Sequence, residues 1–159
     1  MGSSADKIVS LEAALAWRRG LAGRLVFTNG VFDLLHPGHV EYLEQARRLG
    51  GHLLVAVNSD RSARGLEKGP GRPIADERAR ARVVAGLAAV DRVLLFDAPT
   101  PQALIEALRP EVLVKGGDYT PGTIVGADLV EAGGGRVVAI PLIAGYSTSA
   151  LVERCRAAS

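Results

Sequence analysis

The chain has 159 residues, of which 48% are hydrophobic and 23% are charged, and its net charge is +2 at pH 7. This length suits one domain that buries its own core. The small positive balance disfavours a nucleic-acid-binding protein, which needs a concentrated basic stripe. The single Cys155 excludes an intrachain disulfide and is typical of a reducing compartment.

The sequence carries no sign of a membrane span or an export signal. No apolar run approaches the roughly 18 to 20 residues that a membrane span needs. The first six residues lack the basic and apolar regions of a signal peptide. We therefore expect a cytoplasmic protein that contacts no membrane.

Apolar runs rich in Val and Leu alternate with segments of helical period, which is typical of a parallel sheet covered by helices. The first helix follows the capping residue Ser10, and the second begins at Pro37 and ends near 50–51. The strands are predicted at 24–28, 52–58, 92–96, 112–115 and 136–140. The later helices are predicted at 76–87, at 101–108 behind the capping residue Thr100, at 124–132 and at 147–157.

These elements predict an α/β fold, a Rossmann-like doubly wound sheet of five parallel strands with helices on both faces. We expect one domain over residues 1–159, with an N-terminal helical extension at 1–23 and the catalytic core at 24–155. The extension is a candidate for packing on the core or on a partner. The polar loop 59–73 holds three Gly and two Pro, and it is too long for a simple connector.

In doubly wound sheets, ligands bind beyond the carboxyl ends of the strands, and the motif His36-Pro37-Gly38-His39 follows the first strand. Pro37 suits the first turn of a helix, where a missing N–H costs nothing. Gly38 keeps that turn open, so that backbone N–H groups and the positive end of the helix dipole can face an anion. His36 and His39 lie three residues apart, so both rings can donate hydrogen bonds to a phosphate as charge builds during its transfer.

Two other interpretations of this histidine pair are weaker. Such a pair is half of a metal site, but the chain holds only one other His and one Cys, so we predict no metal-ligating residues. In an arbitrary protein the pair would be two surface histidines without a function. Its position between a buried strand and a helix, flanked by Gly and Pro, favours phosphate binding.

Polar residues also follow other predicted strands. Lys115 can offer a point charge to a phosphate, or it is a solvated lysine in a turn. Tyr146 to Ser149 follow Gly145 at a helix start, where hydroxyl and N–H groups can hold a phosphate or only cap the helix. Asp33 can cap a turn or hold substrate hydroxyls, and the second role is favoured.

From about Leu25 to Arg154, the sequence resembles the His-x-Gly-His nucleotidyltransferases, which include glycerol-3-phosphate cytidylyltransferase and pantetheine-phosphate adenylyltransferase. Within that family it is most similar to the adenylyltransferases that make ADP-heptose from D-glycero-β-D-manno-heptose 1-phosphate and ATP. The segment FTNGVFDLLHPGHVEYLEQARRLG alone specifies the superfamily, whereas VKGGDYT together with GYSTS points to a heptose substrate. The matching segments are FTNGVFDLLHPGHVEYLEQARRLG, LLVAVNSDRS, GRPI, TPQALIEALRPEVLVKGGDYT and GYSTSALVER.

The resemblance implies a role for each matching residue. The catalytic residues that it implies are His36, His39 and Lys115. The nucleotide-binding residues that it implies are Thr28, Asn29, Gly30, Phe32, Gly38, Lys115, Tyr146, Ser147, Thr148 and Ser149. The substrate-binding residues that it implies are Asp33, Asp60, Arg78, Gly117 and Asp118. Arg78 stands beside two acids, so a surface ion pair is its alternative role.

The long loop and the last motif depart from the family pattern. Lys68 and Arg72 in the loop would close on the triphosphate as a lid. The heptose enzymes tend to have Leu-Lys-Gly there, whereas this chain has Leu66-Glu67-Lys68-Gly69, so Lys68 rests on a weaker match. Cytidylyltransferases carry Arg-Thr-Glu before the last motif. The Leu142-Ile143-Ala144 of this chain disfavours a glycerol or choline phosphate substrate.

The implied reaction joins AMP from ATP to the heptose 1-phosphate and releases pyrophosphate, for lipopolysaccharide core biosynthesis. Mg²⁺ is expected to travel with ATP, because no paired Asp cluster indicates a metal held by the protein. We expect a homodimer and a separate heptose kinase, since related enzymes are often fused to one and this chain looks like the stand-alone transferase. Two alternatives stay open: a nucleotidyltransferase for another sugar or alcohol phosphate or for CTP, and a non-catalytic nucleotide-binding module.

Overall fold

Five parallel strands form one sheet in the computed structural model, which describes residues 2–117 and 119–159. The strands are β1 (Leu25–Gly30), β2 (His52–Asn58), β3 (Arg92–Phe96), β4 (Val112–Gly116) and β5 (Arg136–Ile140). Their order is β3-β2-β1-β4-β5, so the chain first builds outward from β1 on one side and then crosses to the other. The order therefore switches between β1 and β4, where such sheets bind ligands.

Helices cover both faces of this sheet, as predicted. They are α1 (Leu11–Arg19), α2 (Pro37–Arg48), α3 (Asp60–Arg64), α4 (Glu77–Ala85), α5 (Gln102–Leu108), α6 (Ala127–Ala132) and α7 (Thr148–Ala157). Two short 3₁₀ turns lie at Ser4–Lys7 and Pro121–Thr123. The predicted fold class, a doubly wound α/β sheet, is confirmed.

Each face of the sheet has its own buried cluster, because successive side chains of a strand point to opposite faces. Val26 packs with the cluster that includes Leu43 of α2 and Val84 of α4. Its neighbour Phe27 packs with the other cluster, which includes Ile105 of α5. A strand that is buried on both faces needs an apolar residue at every position, which explains the unbroken apolar runs of the sequence.

Three predicted boundaries are wrong. Within the supposed loop 59–73, α3 forms one short helix, and the Ser59 side chain caps it by accepting from Ser62 N at 3.0 Å. Helix α5 begins at Gln102 with Pro101 as its N-cap, so Thr100 does not cap it. Helix α6 begins only at Ala127, because the preceding glycine has φ 84°, a left-handed conformation that cannot lie inside a helix. The predicted cap Ser10 is confirmed. Ser147 caps α7, which the sequence had left open as the alternative to phosphate binding.

The N-terminal extension packs on the body of the domain. Ala14 of α1 is fully buried in the same cluster as α5. Ile8 pairs with Val93 in a parallel bridge beside β3. The extension therefore belongs to the core described above. Among the described residues, no helix combines the length and apolar character needed to cross a membrane.

Candidate active site

A cleft of about 320 Å³ lies at the carboxyl edge of the sheet, beside the switch between β1 and β4. The ends of both strands, the starts of α2 and α7 and the loop before α4 all contribute to its walls. Its lining includes most of the predicted site residues, namely Asn29, Gly30, Phe32, Asp33, His36, Gly38, His39, Lys68, Arg72, Lys115, Tyr146, Ser147, Thr148 and Ser149. Segments far apart in sequence thus meet in one place.

The two histidines stand together at the start of α2. Pro37 is the first residue of the helix, and His36 precedes it with an extended backbone (φ −137°, ψ 170°). The backbone N–H of His36 donates to Nδ1 of His39 at 3.3 Å, and the two rings stack with centroids 3.9 Å apart. A Cβ at Gly38 would lie 2.9 Å from the His36 ring. A larger residue at this position would therefore displace the His36 ring from its stacked position.

Both rings are neutral at physiological pH. Burial, with His36 and Lys68 nearby, lowers the pKa of His39 to about 4, and burial lowers the pKa of His36. Because Nδ1 of His39 accepts a hydrogen bond, the proton of its neutral ring lies on Nε2. The histidines therefore act in the free protein as N–H donors rather than as positive charges.

Lys115 lies opposite, at the end of β4. Its Nζ donates to Oδ1 of Asn29 at 3.1 Å and approaches the main-chain oxygen of Asn29 at 3.5 Å. Burial, followed by the nearby Lys68, lowers the pKa of Lys115 to about 8. The ammonium is therefore still mostly protonated at pH 7, and it places a positive charge in the cleft.

Asp33 is only 2% exposed, and its carboxylate binds the segment before α4. It accepts from Ile74 N at 2.8 Å, from Ala75 N at 3.0 Å and from Arg72 Nε at 2.9 Å. Burial alone would raise the pKa of Asp33, but these donors outweigh it and the pKa is lowered. The predicted role in holding sugar hydroxyls stays a prediction, and the carboxylate already serves as an anchor for the loop.

The start of α7 closes another wall. Ser147 caps the helix by accepting from Ala150 N at 3.0 Å, so capping accounts for this hydroxyl. Thr148 Oγ1 donates to the main-chain oxygen of Asp33 at 2.6 Å. Tyr146 lies near His36 with ring centroids 6.2 Å apart and planes 18° from parallel. The two motifs of the family thus contact each other directly.

Lys68 and Arg72 both reach the cleft from the long loop. Arg72 pairs with Asp33 and is largely buried. The pKa of Lys68 is lowered by partial burial and by the adjacent Arg72. The loop therefore brings two cations to the wall that faces the histidines, and a lid movement stays a prediction.

Four predicted residues lie away from the cleft lining. Thr28 is fully buried, with its hydroxyl 2.5 Å from the hydroxyl of Tyr42. Arg78 is exposed on α4. Asp60 forms a salt bridge with Arg80 at 2.8 Å. Gly117, with φ 103°, follows the cleft residue Gly116, and the predicted Asp118 lies outside the described residues.

Arg80 is a residue that sequence reasoning missed. It is 2% exposed, and besides Asp60 it donates to the main-chain oxygens of Val31 at 2.6 Å and Ala75 at 3.0 Å. It therefore ties the loop after β1 to the start of α4 and to α3. One signal was available in the sequence, since Arg80 and Val84 are four residues apart on the inward face of the helix, whereas Arg78 is not on that face.

The sequence also gave no indication that Tyr42 and three further residues line the cleft. Tyr42 of α2 lines the cleft and donates to the main-chain oxygen of Val114 at 3.3 Å, and burial raises its pKa. Tyr119, Leu142 and Ile143 also line the cleft. The sequence comparison had treated Leu142 and Ile143 only as a departure from the cytidylyltransferase pattern.

Comparison with known proteins agrees with this geometry. The family model described as cytidylyltransferase-like matches residues 27–152. The chain belongs to the cytidylyltransferase-like family. The predicted enzyme class, a nucleotidyltransferase, is thereby confirmed, and the alternative of a non-catalytic module loses its support.

Three relatives illustrate the match. The chain is 54% identical to the bifunctional protein HldE of Syntrophotalea carbinolica and 56% identical to that of Koribacter versatilis, each over 91% of this chain and 29% of the relative. The chain thus spans less than a third of these relatives. A solved structure, the lipopolysaccharide core biosynthesis protein of Thermoplasma volcanium, is 30% identical with a TM-score of 0.62, and the match covers 77% of this chain and 98% of that one.

Proposed function

We propose that the chain transfers AMP from ATP to D-glycero-β-D-manno-heptose 1-phosphate, giving ADP-heptose and pyrophosphate. The observation that carries this proposal is the meeting of the His36 and His39 rings, the Lys115 ammonium and the starts of α2 and α7 in one cleft. These are donors and cations suited to a triphosphate and to the charge that develops during its cleavage.

The transfer is a direct displacement at phosphorus. An oxygen of the sugar phosphate attacks the α-phosphorus of ATP, and the bond to the β-phosphate oxygen breaks to release pyrophosphate. The attacking phosphate is an anion near pH 7, so it needs no strong general base. The chain contributes position and charge: N–H groups of His36 and His39 and the ammonium of Lys115 face the phosphates.

Two findings support heptose phosphate as the acceptor. The segments VKGGDYT and GYSTS resemble those of ADP-heptose-forming enzymes, and the relatives include HldE proteins and a lipopolysaccharide core biosynthesis protein. Leu142-Ile143-Ala144 stands where cytidylyltransferases carry Arg-Thr-Glu, and this difference disfavours a glycerol or choline phosphate acceptor.

Mg²⁺ enters this proposal as part of the substrate MgATP. Among residues 2–117 and 119–159, no group of three or more His, Cys, Asp or Glu side chains could hold a metal. The carboxylate of Asp33 is occupied by three hydrogen bonds. The ion would neutralise charge on the phosphates, while the protein residues hold the phosphates in line.

The proposal extends to partners. A separate kinase would supply the phosphorylated sugar, and the chain would act as a homodimer. The oligomeric state is measured by analytical ultracentrifugation at micromolar concentration, where a monomer mass would contradict the dimer.

The proposal is tested by pyrophosphate release with four nucleoside triphosphates and a panel of acceptors. The panel contains D-glycero-β-D-manno-heptose 1-phosphate, its α-anomer, glycerol 3-phosphate and phosphopantetheine. We expect release only with ATP and the β-anomer, and a product with the mass of ADP-heptose. Greater release with CTP or with another acceptor would assign a different substrate. No release with any pair would remove the catalytic proposal.

A further inference from the structure

We propose that Asn29 is a positioning residue for Lys115, holding its ammonium toward the phosphates without cancelling its positive charge. This inference rests on the proposed function, since it concerns how the same cleft treats a phosphate. It assigns to Asn29 a role toward a protein side chain, whereas the family resemblance gives it only contact with the nucleotide.

The first support is the sheet itself. Asn29 and Lys115 stand near the ends of β1 and β4, which are neighbours in the sheet. Both side chains emerge at the carboxyl edge and line the cleft. A lysine side chain is long and flexible, and holding it in one rotamer costs entropy. A fixed acceptor on the adjacent strand lowers that cost before the substrate arrives.

The second support is the count of donors. An ammonium has three N–H groups and no acceptor. Two oxygens of Asn29 lie within reach of Nζ, Oδ1 at 3.1 Å and the main-chain oxygen at 3.5 Å. With those two directions occupied, the remaining N–H is directed away from Asn29, and the side chain as a whole borders the cleft that holds the histidines.

The third support is the neutrality of the amide. Within the described ranges, 2–117 and 119–159, no carboxylate forms a salt bridge with Lys115. An Asp at position 29 would have the same shape as Asn, but it would pair with the ammonium and cancel its charge. An amide orients the ammonium and leaves its charge available to a phosphate anion.

Other groups in the cleft also act on Lys115 and must be held constant. Lys68 and the burial of the side chain lower the pKa of Lys115 to about 8. Besides Lys115, the titratable or charged groups that line the same cleft are Asp33, His36, His39, Tyr42, Lys68, Arg72, Tyr119 and Tyr146. A substitution at Asn29 leaves all of these groups in place.

The direct test is an NMR titration of the lysine side chains in Asn29→Asp and Asn29→Ala. The chain has only three lysines, Lys7, Lys68 and Lys115, so ¹³Cε-lysine labelling gives three signals that Lys→Arg variants assign. We expect Asn29→Asp to raise the pKa of Lys115 by about 1 unit, as a new carboxylate beside a cation does. Asn29→Ala removes one acceptor of the charged form and is expected to lower the pKa.

Two controls separate this contact from a general effect of charge. Ser149→Asp places a carboxylate on another wall of the same cleft, and it should raise the Lys115 pKa less than Asn29→Asp does. Lys7, whose Nζ donates to Leu87 O outside the cleft, should titrate identically in every variant. If Asn29→Asp and Ser149→Asp shift Lys115 equally, or if neither Asn29 variant shifts it, the positioning role is overturned.

The activity measurement links the contact to function. In the parent, kcat should fall as pH rises through the pKa of Lys115 near 8, because the ammonium loses its proton. Asn29→Asp should move this alkaline limb upward and raise the KM for ATP, because the new carboxylate repels the triphosphate. In a Lys115→Met background the same change at Asn29 should leave the pH profile unmoved.

The inference and the proposed function fail in different ways. If no nucleotide and acceptor pair releases pyrophosphate, the proposed function fails, and the NMR titration still decides whether Asn29 holds Lys115. If the enzyme makes ADP-heptose but substitution of Asn29 leaves the pKa of Lys115 unchanged, the inference alone fails.

Discussion

The two edges of the sheet use charge in opposite ways. At the edge where the strands begin, Glu111 accepts from Leu25 N at 2.7 Å and from Arg18 at 2.5 Å. Asp91 likewise accepts from the backbone of β2 at 2.7 Å and pairs with Arg47 at 3.1 Å. Each acid there is matched by a backbone donor and by an arginine. These contacts fix the starts of β1 and β2.

At the edge where the strands end, Arg72 pairs with Asp33, whereas the lysines and histidines of the cleft are not matched in this way within the described residues. In the described part of the chain, no carboxylate forms a salt bridge with His36, His39, Lys68 or Lys115. All four groups have lowered pKa values because burial disfavours their charged forms, and for His39, Lys68 and Lys115 neighbouring basic groups add to this effect. The cleft lining holds the cations Lys68, Arg72 and Lys115 together with the carboxylate of Asp33. Cations in excess of acids are unfavourable until an anion binds, so this edge is prepared for a ligand, whereas the contacts at the other edge serve stability.

The largest effect is expected from breaking an ion pair that is already formed, the pair of Arg80 with Asp60. Arg80→Met removes donors from Asp60, Val31 and Ala75 and leaves the carboxylate without its partner. We expect the free energy of unfolding to fall by about 3 kcal/mol, measured by urea denaturation. The matched control Arg78→Met, on an exposed position of the same helix, should change it by less than about 0.5 kcal/mol. An equal fall in the free energy of unfolding in both variants would show that the burial of Arg80 does not make it more important for stability than Arg78.

Removing a cleft side chain that forms no salt bridge should affect activity rather than stability. His39→Ala deletes a preorganised N–H donor, so kcat should fall by about 10²- to 10³-fold, with ATP still saturating. Turnover is measured by pyrophosphate release, and folding is checked by urea denaturation. The control is His52→Gln, since His52 packs on Trp17 away from the cleft, and its kcat should match the parent. Near-parental turnover of His39→Ala would falsify the proposed site.

These two variants also show what the sequence could reveal. His36, His39 and Lys115 were predicted because they follow strands whose unbroken apolar runs mark them as buried and parallel. In such a sheet the residues after each strand converge, so local patterns were enough to bring them together. The cap at Ser10 was also predictable, since capping depends only on adjacent residues.

The sequence could not reveal contacts that depend on how distant loops fold. Arg78 was named because it matches the family position. The burial of Arg80 could not be read from the sequence, because charged residues are almost never fully buried unless paired and its acceptors lie up to 49 residues away. Asp33 was predicted as a substrate contact, which stays a prediction, but the sequence did not indicate that its carboxylate binds backbone N–H groups about 40 residues further on. Both cases need the three-dimensional path of the long loop, which no periodic pattern specifies.

A smaller loss of activity is expected from crowding the histidines without removing them. A Cβ at Gly38 would lie 2.9 Å from two atoms of the His36 ring, so Gly38→Ala must displace the ring. Because displacements near 1 Å can cost up to about 10²-fold in rate, we expect kcat to fall by roughly 10- to 100-fold. Gly51→Ala is the control, since its nearest neighbour would be 3.8 Å away. Unchanged kcat in Gly38→Ala would mean that the ring position does not matter.

The smallest effect is expected at the edge where the strands begin. There, Glu111→Gln keeps the shape of the side chain and removes its charge. Burial would raise the pKa of Glu111, but the donors from Leu25 and Arg18 outweigh it and lower the pKa. A lowered carboxyl pKa stabilises the folded state above the unfolded pKa, and this contribution is lost as pH falls through the folded value. Because the side chain is 40% exposed, we expect only about 1 kcal/mol at pH 7. Urea denaturation from pH 7 to pH 3 should show the difference from the parent shrinking toward acid pH. The exposed Glu131→Gln is the control, and a difference that persists unchanged at pH 3 would contradict the assigned ionic role of Glu111.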